Sequence, residues 1–577
     1  MTERNNMKKT IYIGFFLLSS IAFGQTGNND PVIVVTDGDR TIEPAYRIGI
    51  SPIIVDTIIP TAIVNYPLLS IRYETDTEVE QINPASIKTV EKLPKLYSSY
   101  VKLGVGTELM PLGEVYYNSK RSRKYVYGAH LKHLSSFGNI SGYAPAQFDR
   151  TKFNLFGGIN ERRYELRGDV HYNNQGLHYY GASDTLGLLK DSISQRYSDF
   201  GISGKYTSHI KDSAKVNYFV GLAYNNYLSK KPKREEDKDW RARENYLGIT
   251  SGASYKYGKE TYAADLNIRY NGYKYGIEDS SYTGLDSGLV LNNTIINLKP
   301  YITTYLQDNR FKAKIGLDLA FDVHQKTKVY VFPVAEVKYS LFNDIFIPYV
   351  GVRGGIAQTS FKSLTNENEF LLPNIELRNK KTRIDFYGGI KGTLSKRISF
   401  NAGISFANVQ DQAMFITDTL HSLGNRFDVI YDTMNVTTIE ASIAYQLKEK
   451  IKLEGIGRYY SYSALNNSYA WNMPRMQFII RGTYSLFDKV LFNLDVNLEE
   501  GRKALVYGPG DDVTIESGQY IKKLGFIADA NLGIEYRYNK RISAFVQMNN
   551  IASQGYMRWY NAPVQRFQFL GGVTFRF

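Results

Sequence analysis

The chain has 577 residues, no cysteine, 47 tyrosines, 48 glycines and a formal net charge of +14. Absence of cysteine excludes disulfide, thiolate-metal and thiol chemistry, and absence of an apolar run of about 18 residues beyond the first 24 excludes a transmembrane helix. The basic residues are scattered through turns (Arg121, Arg123 and Lys124; Lys396 and Arg397; Lys540 and Arg541) rather than gathered on a reading element, so no nucleic acid partner is expected; anionic lipid headgroups and lipopolysaccharide phosphates are the expected use of the charge.

In chain order, Met7, Lys8 and Lys9 precede an apolar run from Ile11 to Phe23 and then Ala22, Phe23, Gly24 and Gln25, the order of a secretory signal cut after Gly24. A run of about 13 residues is too short to span a bilayer. Gln25 rather than cysteine follows the cut, so no lipoprotein is expected. Residues 25–96 hold seven of the 17 prolines, at 31, 44, 52, 60, 67, 84 and 94. That spacing forbids long helices and central strands, and predicts an extended ribbon with strand-like pieces at Pro52 to Ile59 and Pro67 to Tyr73. Ile53, Ile54, Val55, Ile58 and Ile59 make it too apolar for the disorder signature. It is expected to lie against the barrel lumen, the barrel rim or a stable periplasmic or outer-membrane protein partner.

Residues 97–577 carry about 22 segments of period-two alternation, the template of transmembrane strands. Tyr164 to Asn173, Tyr262 to Asn271, Phe311 to Leu319 and Phe492 to Glu499 show it most clearly. Short polar turns, as at Asn160 to Arg162, Gly258 to Glu260, Ser395 to Arg397 and Asn539 to Arg541, take turns with longer connectors. The longer ones run Asn174 to Ser194, Ser229 to Ala242, Ile277 to Leu291, Ser363 to Lys381, Asp411 to Val436 and Leu505 to Gln519. Short periplasmic turns and long external loops are the outer-membrane pattern. The expected fold is therefore all-β: an integral, antiparallel transmembrane β-barrel of about 22 strands, with a short extended Pro-rich periplasmic segment before it and both mature termini periplasmic.

From Val564 to Phe577 aromatic and small residues alternate with Gln568, Leu570, Gly572, Thr574 and Arg576 up to a final Phe577. In a barrel this is the closing strand, with Phe569, Val573, Phe575 and Phe577 as the expected insertion signal for the barrel-assembly machinery. The run Met548 to Phe577, with Asn549, Asn550, Ile551, Tyr556, Trp559, Tyr560 and Pro563, resembles the large outer-membrane barrels of Bacteroidota of the TonB-dependent-receptor-like kind. So does the stretch Leu93, Pro94, Lys95, Leu96, Tyr97, Tyr100, Val101, Lys102, Leu103 and Gly104. The resemblance implies transport across the outer membrane. It departs where that family carries a folded plug: residues 25–96 are about half as long, without plug-like glycine and arginine motifs. A TonB box can be read at Val32 to Thr36, though short apolar stretches of that kind are common.

A barrel of about 22 strands has a lumen wide enough to need filling, by inward-folded loops, the Pro-rich segment, or inward side chains backed by a partner. The expected lumen-facing charges are Glu165, Arg167, Asp169, Asp265, Arg269, Lys312, Lys314, Asp318, Lys452, Glu454, Arg458, Asp495 and Glu499. They can cross-link facing walls or simply be solvated; exposed pairs are worth only about 0 to 1 kcal/mol each. Among the seven histidines, His171 near Asp169 has no serine motif beside it, and His130 and His133 fall on opposite faces of a strand. No catalytic, cofactor or metal residues are expected, and Asp511 and Asp512 lack the repeating oxygen-ligand spacing of a calcium loop. The mixed-charge stretch Lys230 to Arg241 reads as an external loop. Two functions remain: solute transport, and a non-conducting subunit of an outer-membrane assembly or secretion machine, with 25–96 as its strap.

Overall fold

The computed structural model describes residues 96–577 except 211–215, 230–240, 277–288, 308–309, 325, 449, 509–511 and 517. The signal segment, the Pro-rich segment as far as residue 95, the loop at 230–240 and Asp511 lie outside the described residues. The rest is a closed antiparallel barrel of 22 strands, the number and parity the alternation predicts. Closure is made by the strand Ser99–Gly106, which pairs with Met110–Asn118 on one side and with Gln568–Arg576 on the other. At that seam Gly104 faces Gly572 in register, and a Cβ on Gly572 would run into the Leu103 carbonyl oxygen, so the close approach requires glycine.

Exposure is inverted relative to a soluble protein. Leu103, Leu166, Ile315, Leu317 and Val573 are exposed, whereas Lys102, Glu114, Asp318 and Glu499 are buried on the other face of their strands. An outer apolar band and an inner polar wall are what a barrel in lipid needs. At one rim the connectors are tight, such as those between Tyr257 and Glu260, Ser395 and Ile398, and Leu486 and Val490.

The opposite rim departs from the sequence reading in three places. Asp411 to Val436 is not a loop: strands Ile398–Asp418 and Arg426–Leu447 run far past the other strands, and only 419–425 connects them. The alternation fails there because both faces are covered. Met414 and Ile416 pack with Trp471 and Ile521, while Phe415 packs on the other side with Trp559. A register shift between Val409 and Gln412, with Asp411 at φ 53°, marks where this extension begins. Leu505 to Gln519 is likewise part of a three-stranded sheet, Lys503–Val506, Val513–Glu516 and Gln519–Lys523. The closing strand is nine residues, Gln568–Arg576, and Val564 to Phe567 belong to the connector before it.

Candidate functional site: the loop-filled mouth of the barrel

The connector between strands Ile347–Ala357 and Lys380–Ser395 does not project outward; residues 358–379 fold back across the inner wall. Its structure begins with a helix, Phe361–Glu367, started by a capping box: Ser360 Oγ accepts from Ser363 N at 3.0 Å, and Ser363 Oγ accepts from Ser360 N at 2.9 Å. The free Phe361 N–H donates to the buried Glu244 carboxylate of the strand Ala242–Tyr257 at 2.5 Å. That places a wall carboxyl group at the N-terminal end of the helix.

Apolar residues of the loop then join a core cluster that is the largest among the described residues. Phe361, Leu364, Phe370, Leu371, Leu372 and Ile375 are buried with Tyr197, Tyr227 and Tyr273 from the wall, Phe415 and Phe427 from the long hairpin and Trp559 from the connector before the closing strand. The Phe361 ring lies 6.2, 5.9 and 5.4 Å from the rings of Tyr197, Tyr227 and Tyr273. Three wall tyrosines, on strands Ser194–Ser208, Asn217–Ser229 and Glu260–Tyr275, thus make one aromatic socket.

Polar contacts pin the loop at separate points of the wall. Lys362 Nζ lies 2.8 Å from Asp199 Oδ1 and 3.0 Å from Asn225 Oδ1. The Glu369 carboxylate accepts from Arg150 Nη2 at 2.8 Å and from the Gln175 amide, and Tyr197 donates to the Glu369 carbonyl at 3.1 Å. Tyr227 and Thr365 share a hydroxyl contact at 2.8 Å, and Tyr273 donates to the Pro373 carbonyl. Leu371 pairs in parallel with Phe427, with Leu372 N donating to the Phe427 carbonyl at 2.8 Å. Asn425 Nδ2 and the Tyr179 carbonyl, 2.7 Å apart, tie the long hairpin to the connector after His178. Loop 358–379, the long hairpin and the 550–567 connector therefore pack as one cap. Glu367, at the end of the helix, keeps solvent contact, and the surrounding protein raises its carboxyl above the usual range against the pull of Lys380 and Arg558.

The charges picked from the sequence form short chains along the inner wall. Arg269 Nη2 donates to Asn297 Oδ1 at 2.6 Å, Asn297 Nδ2 to Asp318 Oδ1 at 2.9 Å, and Lys299 pairs with Asp318 at 2.9 Å. Arg481 sits between Glu454 at 3.6 Å and Asp495 at 3.4 Å, Arg458 pairs with Glu440 at 2.6 Å, and Gln477 donates to Glu499 at 2.9 Å. Glu165 pairs with Arg167, and Asp169 lies 3.5 Å from His171. Lys312 and Lys314 lie over the rings of Tyr305 and Tyr301, and Asp265 lies beside Lys314, Lys299 and Tyr301. These pairs act within a strand or between neighbouring strands; the link across the wall is made by the loop. Asp199, Asn225, Glu244, Arg150 and Arg481, central here, carry no distinguishing sequence signal, since each looks like any other polar position in an alternating strand.

The charges near histidine do not assemble a catalytic triad: His130 bonds Glu114 at 3.0 Å and stacks on Tyr116, while His133 bonds Thr151 at 2.8 Å. Among the described residues no cluster of His, Asp and Glu could hold a metal ion.

No protein-family model matches the chain, and no curated protein matches its sequence. Its fold is similar to solved barrels at low identity. The FrpB iron transporter from Neisseria meningitidis aligns at 9% identity and TM-score 0.61, over 84% of this chain and 83% of that one. The ferric-catecholate import receptor Fiu from E. coli K12 aligns at 11% identity and TM-score 0.58, over 84% and 82%. The ferripyoverdine receptor of the outer membrane of Pseudomonas aeruginosa aligns at 12% and 0.60, over 84% and 72%. The chain shares the barrel fold of these receptors and transporters.

Proposed function

We propose that the chain is an integral outer-membrane β-barrel, TonB-dependent-receptor-like but without a full plug domain, that carries a solute across the outer membrane of a Gram-negative bacterium. In this reading loop 358–379 holds the lumen shut at rest, and the observation that carries it is the loop's crossing of the mouth on polar pins such as Lys362 to Asp199. Polar contacts can be exchanged for water or solute when the loop moves, and the fold is that of uptake receptors and transporters. Long connectors then face outward, and the tight turns face the periplasm with both barrel ends. Residues 1–24 serve as the export signal, and 25–96 lie beneath the barrel or within it. No cofactor is needed. Lipid, lipopolysaccharide and, during biogenesis, the barrel-assembly machinery are the partners.

The apolar thickness of the cap favours a second reading, a non-conducting subunit of an outer-membrane assembly or secretion machine. Phe361, Leu364, Phe370, Leu371 and Leu372 are buried, which suits a permanent closure. Purification in mild detergent separates the two. A transporter leaves the membrane alone or with an energising partner, and its conductance follows reversal of Arg269 or Lys314; a subunit comes with fixed partners that are released when 25–96 is deleted.

A further inference from the structure

On the inner wall near the tight-turn rim, lysines gather on the strands Phe311–Val323, Thr327–Tyr339 and Lys380–Ser395. Lys312 stands directly opposite Lys338 in the ladder, where like charges repel. Ring contacts place the other side chains on the same face: Lys314 Nζ lies 3.9 Å from the centre of the Tyr301 ring, and Lys391 Nζ lies 5.9 Å from that of Tyr349. Lys338 Nζ pairs with Glu336 at 2.9 Å, and the Tyr387 hydroxyl donates to the same carboxylate at 2.9 Å. Asp265 faces Lys299 in register, Asp318 lies 2.9 Å from Lys299, and Asp385 lies 2.6 Å from Arg353. Set against those four carboxylates, Lys299, Arg353 and the four lysines leave the wall with cations in excess. The turns beyond carry Asp308 and Asp344 against Arg310, Lys396 and Arg397, so they do not reverse the sign.

The opposite sign stands earlier in the same chain. Glu74, Asp76, Glu78 and Glu80 alternate with Thr75, Thr77 and Val79, and no lysine or arginine occurs from 73 to 87. Pro67 and Pro84 on either side oppose a helix, and the β-branched residues between the acids favour an extended chain. Extended, the four carboxylates fall on one face about 6.6 Å apart, enough to cover four strands about 4.8 Å apart. The stretch from Glu80 to Leu96 spans at most about 55 Å. It ends at the same rim, where Ser99 N donates to the Phe577 carbonyl at 3.0 Å.

We infer that residues 74–80 dock as an extended acidic strip on the wall of Lys312, Lys314, Lys338 and Lys391, inside the barrel at its tight-turn end. The inference deepens the reading of 25–96 given above, by naming the part that lies within the barrel and the charges that hold it. The occupant is chosen by its sign and by the rim at which the described chain begins. Lys338 and Lys391 are buried, where a neighbouring carboxylate is worth more than in water. A strip along one wall leaves the closing of the mouth to loop 358–379.

The test is carbodiimide coupling, which joins a carboxylate to an amine without a spacer, applied to the folded full chain and read by peptide mass spectrometry. The expected result is amide links from 74–80 to Lys312, Lys314 or Lys391. Lys312→Glu with Lys391→Glu should lower the remaining links to Lys314 and Lys338 about tenfold, and should open the bond after Glu80 to a glutamate-specific protease. Glu74→Lys with Glu78→Lys added to that variant should protect the bond again. Links from 74–80 only to seam lysines such as Lys102, to a separate polypeptide or to nothing would overturn the inference, as would equal cleavage after Glu80 in the unaltered chain and the variant. Should the variant lose heat-modifiable migration, the links in the unaltered chain decide alone. A conducting chain without these links loses the docking only, and a linked chain that conducts nothing loses the transport reading only.

Discussion

Lys362 on the inward-folded loop and Asp199 on the wall strand Ser194–Ser208 form an ion pair at 2.8 Å, with Asp199 nearly buried and Lys362 about a quarter exposed. Asp199 also accepts from Asn173 at 3.0 Å and Asn225 at 2.6 Å, so the anion is fixed by the wall and the cation is brought to it by the loop. Removing either partner should loosen the loop and leave the barrel closed on itself. A double-mutant cycle with Lys362→Met and Asp199→Asn should give a coupling of about 2 kcal/mol, the scale of a charged hydrogen bond. Hydrogen exchange across 360–377 reads it, while exchange in the seam strands stays unchanged.

Phe361 is fully buried in the tyrosine socket. Phe361→Ala should cost the docked loop about 3 to 5 kcal/mol, the range for emptying a large aromatic site. Limited proteolysis within 358–379 should then become fast, with heat-modifiable migration of the barrel retained. Loss of that migration would mean that the loop stabilises the strands themselves.

Glu367 supplies a pH dependence. Its carboxyl is raised above 4.5 by the protein around it. A raised carboxyl favours docking while it is protonated, and that advantage declines as pH climbs from the ordinary carboxylate range through the raised value. The docked loop should therefore be tighter at acidic pH than at neutral pH. Glu367→Gln should tighten it at neutral pH and flatten the profile, as measured by exchange of the loop amides between pH 4 and 8.

Val573 is exposed in the middle of the closing strand Gln568–Arg576. Val573→Arg should destabilise the membrane-inserted barrel by about 2 to 4 kcal/mol if its outer face meets lipid at mid-depth. The change should appear in the denaturant midpoint of the barrel refolded into vesicles. Thr574→Arg, on the inner face, tests the opposite side of the same strand.

Most of the wall was legible in the sequence because one face of each strand meets apolar surroundings and the other polar ones. Tyr164, Leu166, Ile315 and Leu317 therefore announce their strands by alternation alone. The cap was not legible, because alternation requires two unlike faces. Residues 412–418 have core on both sides, as Met414 and Phe415 show, and so read as a connector. Loop 358–379 was bounded within a few residues, and inward-folded loops were among the expected fillers. Its direction depends on partners more than a hundred positions away, such as Glu244 for Phe361 and Asp199 for Lys362. Nothing in the local pattern marks those polar residues apart from Glu165 or Asp169 on the same kind of strand.

The central claim is that loop 358–379 closes a barrel otherwise able to conduct. Planar-bilayer recordings of the unaltered chain and of a variant with 360–377 replaced by a short Gly-Ser linker test it most directly. The account predicts small or silent conductance for the unaltered chain and large, steady conductance for the variant, with selectivity shifting when Arg269 is reversed. A variant as silent as the unaltered chain, or an unaltered chain already fully open, would contradict it.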